Sequence, residues 1–384
     1  MKIGVDISQV SFSGTGVARY TKRLIEALLE IKDNSYIFFF SSLRGKVPED
    51  VASLIQKAPL ARFVEYKIPP SGLHLLWNVI HRVSIDRLIG EVDLFITSDW
   101  TEPPLRNGKK ITIIHDMVVY KYPETTTNKT TFDISKAQLI PNIKKTLFLK
   151  HNWVKKESNH ILADSQATKE DIVSFFGTNP NDITVVYPSV LVPHPSQTQL
   201  SHIRKKYGIK RSFILAVGKL EPRKNIPLLI QAYTKIVNPP FDLYIAGSKG
   251  WEAGSNLEIP PTHSDKIHFL GFISDADLYG LYALADLFVF PSSYEGFGFP
   301  IIEAMSLGCP VLTSNISSMK ELAEGYAVLC DPTNINDIKG KIENIMSDSS
   351  LRKELTKKGL VRAKDFSKEK YVEKLKEVFK AISD

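Results

Sequence analysis

The chain has 384 residues, of which 43% are hydrophobic and 24% are charged, and this is the composition of a globular protein of two or three domains rather than a disordered or fibrous chain. Its 2 cysteines exclude a disulfide scaffold and argue against a cysteine-based zinc site. The net charge of +7 favours an anionic partner, such as a nucleotide, a phosphorylated substrate, a nucleic acid or an acidic membrane surface.

The first residues and the apolar runs bear on the cellular compartment. Asp6 lies where a secretory signal peptide needs a long apolar core. No uninterrupted apolar run approaches the ~18 residues of a membrane-spanning helix. We therefore expect a cytoplasmic protein.

The first half of the chain alternates between strand and helix patterns. Helical spacing of apolar residues predicts helices from Val17 to Ile31 and over 137–157. Short apolar runs typical of buried parallel strands lie between them. These predicted strands are 2–6, 36–40, 93–97, 110–114 and 160–164. The alternation predicts βαβ units and a parallel sheet.

The second half repeats this alternation after a proline-bearing segment, 190–198, which reads as a linker. Its predicted strands are 212–218, 241–247, 266–271, 287–290 and 310–313. The chain ends in a predicted amphipathic helix. We therefore predict an α/β fold with two Rossmann-like doubly wound domains, 1–192 and 199–365, that face a cleft and bind ligands at the carboxyl ends of their strands.

The strongest motif is the segment from Pro291 to Met305, which follows a predicted strand and opens a predicted helix. Gly296 and Gly298 have no side chains, so backbone N–H groups there are able to approach a ligand. Glu295 and Glu303 stand eight positions apart, and each carboxylate is able to accept hydroxyl donors of a ribose or hexose. The alternative is that the glycines only form a turn and that Glu303 is a surface residue.

This segment resembles the Glu-x7-Glu region of retaining nucleotide-sugar glycosyltransferases with the GT-B fold, glycosyltransferase family 4. The resemblance implies that Glu295 contacts hydroxyls of the donor sugar and that Glu303 holds the ribose. It also implies that the loop at Phe297, Gly298 and Phe299 contacts the sugar and the phosphate through backbone amides.

A second motif lies at a predicted strand-to-helix turn that contains Gly218, Lys219, Arg223 and Lys224. Basic side chains at such a turn are able to hold a diphosphate, although a solvated basic turn has the same composition. The family has an arginine at the position of Lys219 and a lysine at that of Lys224, both on the diphosphate. The resemblance assigns Lys224 to the diphosphate, with Arg223 as an alternative source of the guanidinium. Residues 221–225 resemble the branch that contains bacterial O-antigen mannosyltransferases.

Two motifs in the first half extend the resemblance. His115 and Asp116 end a predicted strand and are similar to the family's His-Asp pair, in which the histidine lies against the donor sugar; a purely structural histidine is the alternative. Gly14 and Gly16 resemble the family's glycine-rich loop, which closes over phosphate and acceptor; a helix-capping turn is the alternative. A dinucleotide fingerprint fails here, because Arg19 stands at the third glycine.

Two weaker features remain. Asp164 resembles the family's strand end before the linker, or it is a helix cap. Residues 136–156 contain six lysines and no acidic residue, with apolar residues at helical spacing. This predicted helix either lies on an anionic membrane or packs into the core with a solvated basic face.

The resemblance covers nearly the whole chain and implies that a terminal helix, 366–384, crosses back onto an acceptor-binding first domain, with the donor bound by the second. The implied activity is transfer of a hexose from a nucleotide diphosphate sugar to a hydroxyl, with retention at the anomeric carbon, by His115, Glu295 and Lys224. GDP-mannose is the first expected donor, followed by UDP- or dTDP-hexoses. The expected acceptor is a glycan or lipid-linked glycan in surface polysaccharide biosynthesis, such as O-antigen lipopolysaccharide.

No Asp-x-Asp pair accompanies these motifs, so neither an obligatory metal nor another cofactor is expected. An epimerase or hydrolase of the same fold would share the nucleotide site. An NAD-dependent oxidoreductase is disfavoured by the broken glycine fingerprint. Nucleic-acid binding is disfavoured because the basic charge is spread evenly over both halves of the chain.

Overall fold

The chain forms two α/β units in the computed structural model, which describes residues 1–12, 14–97, 100–123, 131–133, 138–140, 142–219, 221–247 and 259–383. The first unit comprises Met1–Ser189 and Lys368–Asp384, and the second comprises Val190–Ser367. The second unit begins where the sequence predicts a linker, and the N–H of Val190 donates to the carbonyl of Phe366 at 2.9 Å. Both units are built on parallel sheets, so the predicted fold class is confirmed.

The first unit alternates strands and helices along the chain. Its strands are β1 Lys2–Asp6, β2 Ser35–Ser41, β3 Ala61–Tyr66, β4 Leu94–Thr97, β5 Lys109–Ile114, β6 Thr131–Asp133, β7 Gln138–Ile140, β8 His160–Ala163 and β9 Ile183–Val185. Its helices are α1 Gly16–Leu28, α2 Glu49–Gln56, α3 Pro70–Leu73, a π-helix His74–Ile80, α4 Asp86–Ile89, α5 Val118–Lys121, α6 Ile143–Glu157 and α7 Gln166–Phe176.

Seven of these strands form one parallel sheet in the order β3-β2-β1-β4-β5-β8-β9. The apolar run of β2 is buried along nearly its whole length, as a strand covered on both faces requires. The strand order changes direction between β1 and β4, where Val5 pairs with Ile96. The carboxyl ends at this point form the crevice in which doubly wound sheets bind ligands.

The second unit continues with strands β10 Phe213–Val217, β11 Asp242–Ala246, β12 Ile267–Gly271, β13 Leu287–Phe290, β14 Val311–Ser314 and β15 Val328–Cys330. Its helices are α8 Gln197–Lys206, α9 Ile226–Thr234, α10 Asp275–Leu284, α11 Phe299–Ser306, α12 Ser317–Ala323, α13 Ile335–Ser347 and α14 Ser349–Ala363.

The sheet of the second unit has the order β12-β11-β10-β13-β14-β15, and all of its pairs are parallel. Leu215 of β10 pairs with Phe288 of β13, and the strand order changes direction between these two strands. A buried apolar cluster that includes Ile214, Leu229 and Val289 packs the helices on this sheet. The segments after β10 and β13 therefore lie side by side at the crevice of this unit.

The last helix, α15 Lys368–Ser383, belongs to the first unit. It starts two residues later than predicted, because Lys364–Phe366 forms a 3-10 turn and Ser367 is extended. The Tyr371 ring packs against that of Tyr20 on α1, with centroids 6.4 Å apart.

The predicted helix over 137–157 is wrong at its start. Residues 138–140 form β7, and α6 begins at Ile143 after the N-cap Asn142, whose side chain accepts from the Lys145 N–H. Pro141 disfavours helical backbone in the residue before it, which explains the late start. Lys136 of the predicted basic helix lies outside the described residues. Among the described helices, none is long and apolar enough to cross a bilayer.

Candidate functional site

The basic turn follows β10 at the crevice of the second unit. Residues Pro222–Lys224 form a 3-10 turn, and Asn225 adopts a left-handed conformation, with φ of 57°, before α9 begins. The Asn225 amide donates to the carbonyls of Pro291 at 3.2 Å and Pro332 at 2.6 Å. These bonds fix the end of the turn, so the two basic side chains of the turn start from a rigid backbone.

The loop after β13 is bonded to this turn. Both the N–H and the Oγ of Ser293 donate to the carbonyl of Arg223, at 2.9 and 3.1 Å. Further along, Ser317 and Ser318 of α12 donate their hydroxyls to the carbonyl of Glu295, at 3.1 and 2.8 Å. Glu295 is therefore held on a backbone that is anchored on both sides.

The Glu295 carboxylate joins both cations of the turn. It accepts from Nζ of Lys224 at 2.6 Å and from Nη1 of Arg223 at 2.7 Å, and the same Nη1 donates to the carbonyl of Tyr294 at 2.9 Å. Lys224 Nζ also lies 5.1 Å from the centre of the Phe290 ring. The structure thus brings together three of the predicted site residues as one charged cluster, Arg223–Lys224–Glu295.

Burial and neighbouring charge shift the pKa of the Glu295 carboxyl in opposite directions. Burial would raise the pKa of the Glu295 carboxyl, but the positive charges of Arg223 and Lys224 outweigh it and lower this pKa to about 2. Burial also lowers the pKa of the Lys224 ammonium from its usual value. The cluster holds an ionised carboxylate between two cations, and such cations are well suited to a phosphate ligand.

The predicted helix after this loop is confirmed as α11. Gly298, at φ of 116°, is its N-cap, and Pro300 lies in its first turn. Glu303 lies on this helix with 1% of its surface exposed, which rules out the surface alternative. The buried Phe297 ring packs against Phe299 and Phe366 at 5.1 and 5.6 Å, so only the backbone of Phe297 is suited to a ligand.

Gly218 and Lys219 lie at the start of the basic turn. A Cβ on Gly218 would lie 3.1 Å from Cγ of Lys224, so the glycine lets that lysine pass close to the backbone. The Lys219 side chain is exposed, and among the described residues it makes no ion pair with Glu295. Arg223 joins Lys224 at the Glu295 carboxylate, and the role of Arg223 or Lys219 on a diphosphate stays a prediction.

His115 follows β5 in the first unit and is paired with a carboxylate. Its Nδ1 lies 2.7 Å from Oδ2 of Asp164, which follows β8. Asp116, the next residue, accepts from the backbone N–H of Val118 at 2.9 Å. Asp164 is not the cap of α7, because Ser165 has that place. The sequence motif pointed to His115, whereas its contact with Asp164 was not predicted.

The glycine-rich loop precedes α1 in the same unit, with Ser13 outside the described residues. Gly14 has φ of 79°, a backbone conformation that favours glycine. Gly16 is the first residue of α1, behind the N-cap Thr15, and a Cβ there would meet nothing within 4 Å. Only Gly14 is required by the fold, and the binding role of both glycines stays a prediction.

No group of three or more His, Cys, Asp or Glu side chains placed to hold a metal ion is found in the part of the chain that the structure describes. An Asp-x-Asp sequence does occur at Asp275–Asp277, away from the motifs of the site. It forms the first turn of α10, where Asp277 pairs with Lys206 and Tyr207 at 2.5 and 2.8 Å.

Comparison with protein families matches both halves of the chain. Residues 14–191 match the model described as Glycosyltransferase Family 4, and residues 201–362 match the model described as Glycosyl transferases group 1. O-antigen chain mannosyltransferase B of Escherichia coli is 30% identical over 379 residues, with 96% of each chain covered. O-antigen chain mannosyltransferase RfbU of Salmonella typhimurium is 30% identical over 353 residues, with 89% of this chain and 90% of the relative covered.

Solved structures show the same fold at lower identity. HepE of Anabaena, in a complex with UDP and glucose, has a TM-score of 0.70 and 17% identity, with 99% of this chain and 100% of that chain covered.

Proposed function

This chain belongs to glycosyltransferase family 4 and is a glycosyltransferase with the GT-B fold. On that premise we propose that it transfers a hexose from a nucleotide diphosphate sugar to a hydroxyl of a glycan or lipid-linked glycan, with retention at the anomeric carbon. The observation that supports this most directly is the cluster of Arg223, Lys224 and Glu295 at the crevice of the second unit. Cations there suit the diphosphate, and Glu303 suits the ribose.

Charge stabilisation of the leaving group is the central step of the proposed mechanism. Departure of the diphosphate from the sugar builds negative charge on its oxygens. Arg223 and Lys224 are able to neutralise that charge. The free N–H groups at the start of α11 carry partial positive charge, which also favours an anion. We propose that these groups suffice without a metal ion, and we name no protein nucleophile.

Mannose from GDP-mannose is the donor that we propose. Its support is the name of two relatives, both O-antigen chain mannosyltransferases, and the likeness of residues 221–225 to that branch. The second candidate is a UDP-hexose, because HepE was solved with UDP and glucose. Surface polysaccharide biosynthesis is the pathway class that follows from the same relatives.

Calorimetric titration of GDP, UDP, dTDP and ADP in the presence of EDTA tests the donor site. We expect one nucleotide to bind with a micromolar Kd, and GDP to be that nucleotide. Lys224→Met should abolish this binding, because it removes one of the two cations. Lys339→Met on α13, where Lys339 pairs with Glu343, is the matched control and should bind normally. Binding of none of the four nucleotides would overturn the proposal.

Product analysis tests the reaction itself. Incubation with the bound sugar nucleotide and a mannosylated lipid acceptor should give a longer glycan, and NMR of the product should show the anomeric configuration of the donor. Release of free sugar alone would identify a hydrolase, and a changed sugar nucleotide would identify an epimerase. An inverted product would refute retention without affecting the donor assignment.

We also propose that the enzyme works in the cytoplasm against the inner face of the membrane. Helix α6 exposes Lys145, Lys155 and Lys156, and it contacts the π-helix, where Trp153 Nε1 donates to the carbonyl of Asn78 at 2.9 Å. That π-helix exposes three apolar side chains at about half of their surface, Leu75 53%, Val79 49% and Ile80 50%. Exposed basic and apolar side chains on two contacting helices favour an anionic bilayer.

Vesicle flotation tests this contact. The protein should float with vesicles that contain phosphatidylglycerol and remain unbound to pure phosphatidylcholine. Replacing Lys145 and Lys156 by glutamine should reduce the bound fraction, whereas Lys353→Gln and Lys357→Gln on α14 should not. Equal flotation of both double variants would refute a specific role for α6.

A further inference from the structure

The histidine of the first unit has a buried carboxylate partner that the proposed function does not use. Asp164 has 3% of its surface exposed, and its Oδ2 lies 2.7 Å from Nδ1 of His115. The two residues come from neighbouring strands, because β5 pairs with β8 and Ile114 lies opposite Ala163. The sheet register therefore places the residue after each strand side by side.

A carboxylate at Nδ1 decides where the proton of a neutral imidazole resides. Neutral imidazole has one N–H and one lone pair, and a carboxylate that accepts a hydrogen bond needs the N–H on its own side. Asp164 thus favours the tautomer with hydrogen on Nδ1. The lone pair is then on Nε2, which makes Nε2 the acceptor of the ring.

The ring is also held in place by packing. The Tyr20 ring lies edge-on to it at 4.5 Å, and Tyr371 packs behind Tyr20 at 6.4 Å. Burial raises the pKa of the Tyr20 hydroxyl well above its usual value, so this neighbour stays neutral at physiological pH. Thr168 of α7 donates its hydroxyl to the His115 carbonyl at 3.4 Å. The imidazole thus contacts Tyr20 of α1 directly, with Tyr371 of α15 behind that ring and Thr168 of α7 bonded to the His115 backbone.

We propose that Asp164 is a positioning residue of this enzyme, which acts through His115 by fixing the Nδ1–H tautomer so that Nε2 accepts a hydrogen bond from a hydroxyl of the sugar substrate. The role in transfer rests on the proposed function. The tautomer itself does not, and it is measurable on the unliganded protein. Orientation of a histidine by a carboxylate behind it is a general device for setting which ring nitrogen acts.

Nitrogen-15 NMR of the full chain labelled at histidine tests the tautomer directly. His115→Asn identifies the His115 signals by their loss. We expect Nδ1 to be protonated in the wild type and Asp164→Asn to weaken this preference, because a neutral amide attracts the Nδ1 proton less strongly than a carboxylate does. Asp171→Asn is the matched control. Asp171 lies on α7 and pairs with Lys121 at 2.8 Å, and its substitution should leave the His115 signals unchanged. A wild-type ring protonated at Nε2 would overturn the inference even if the Asp164 variant does not fold.

Transfer kinetics then test whether the tautomer matters. Asp164→Asn should lower kcat by about tenfold or more, a loss of the size seen when the orienting partner of a metal-ligating histidine is removed, and should change KM for the sugar nucleotide much less. In the His115→Asn background, the same substitution should cause no further loss. Equal losses in both backgrounds would show that Asp164 does not act through His115.

The two proposals fail in different ways. A wild type that transfers no sugar refutes the proposed function, while the NMR experiment still decides whether Asp164 sets the tautomer. An active wild type whose tautomer and kcat are indifferent to Asp164→Asn refutes the inference and leaves the donor site intact.

Discussion

Glu295→Gln should separate binding of the diphosphate from transfer of the sugar. In the unliganded protein, the carboxylate accepts from Lys224 at 2.6 Å and from Arg223 at 2.7 Å, so the cations proposed for the diphosphate are already paired. Glutamine keeps the size of the side chain and removes its negative charge. We therefore expect the variant to bind pyrophosphate more tightly than the wild type and to transfer sugar more slowly.

The expected gain in pyrophosphate affinity follows from the strength of the ion pairs that Glu295 makes with Arg223 and Lys224. A carboxyl pKa that falls from 4.5 to about 2 corresponds to about 3 kcal/mol in favour of the charged form. A ligand anion regains only part of this, because it is larger and more solvated than a carboxylate. A tenfold gain in affinity, about 1.4 kcal/mol, is the expected minimum. The variant should also be less stable above pH 4.5, and the difference should shrink as the pH falls towards 2, because the wild-type carboxylate is then protonated.

Calorimetric titration with pyrophosphate measures this effect. Glu324→Gln makes the same change of net charge at an exposed site paired with Lys320, and it should bind as the wild type does. If Glu295→Gln binds pyrophosphate no more tightly than Glu324→Gln, the ion-pair argument is wrong. Faster transfer by the Glu295 variant would refute the role of its carboxylate in the reaction.

Three further variants or treatments test other parts of the second unit. Glu303→Ala should weaken nucleotide binding by about tenfold or more through lost ribose bonds, and calorimetry with an unchanged Kd would exclude that role. Gly247→Ala should lower the melting temperature, because its Cβ would lie 1.9 Å from the carbonyl oxygen of Gly218; native melting would contradict this. Iodoacetamide at pH 8 should leave transfer unchanged, because burial raises the pKa of Cys309 and raises that of Cys330 to about 12; mass spectrometry should find both unlabelled.

Long apolar strands were the part of the fold that sequence could predict. β2 and β10 have continuous apolar runs, and their predicted and observed bounds differ by at most one residue. β3 was missed because it is an edge strand with no buried residue, and Arg62 and Glu65 interrupt its apolar residues. β9 and β15, also at sheet edges, have only three residues each, too few to show a period.

The residues of the candidate site could be predicted from the sequence, but the contacts between their side chains could be predicted less well. The motif around Glu295 revealed the loop and the helix, but its ion pairs depend on how the turn after β10 meets the loop after β13, which spacing alone does not state. Asp164 shows the same limit. It lies 49 positions from His115, and only the pairing of β5 with β8 brings its carboxylate to within 2.7 Å of the ring.

The return of α15 to the first unit has a consequence for synthesis. The ribosome delivers Met1–Ser189 first, yet the 16 residues of α15 emerge only after the whole of Val190–Ser367 has been translated. Until then Tyr20 lacks the Tyr371 ring that packs against it, beside His115. The first unit therefore matures after the second, and a fragment cut at Ser189 for separate expression needs Lys368–Ser383 joined back to it by a linker.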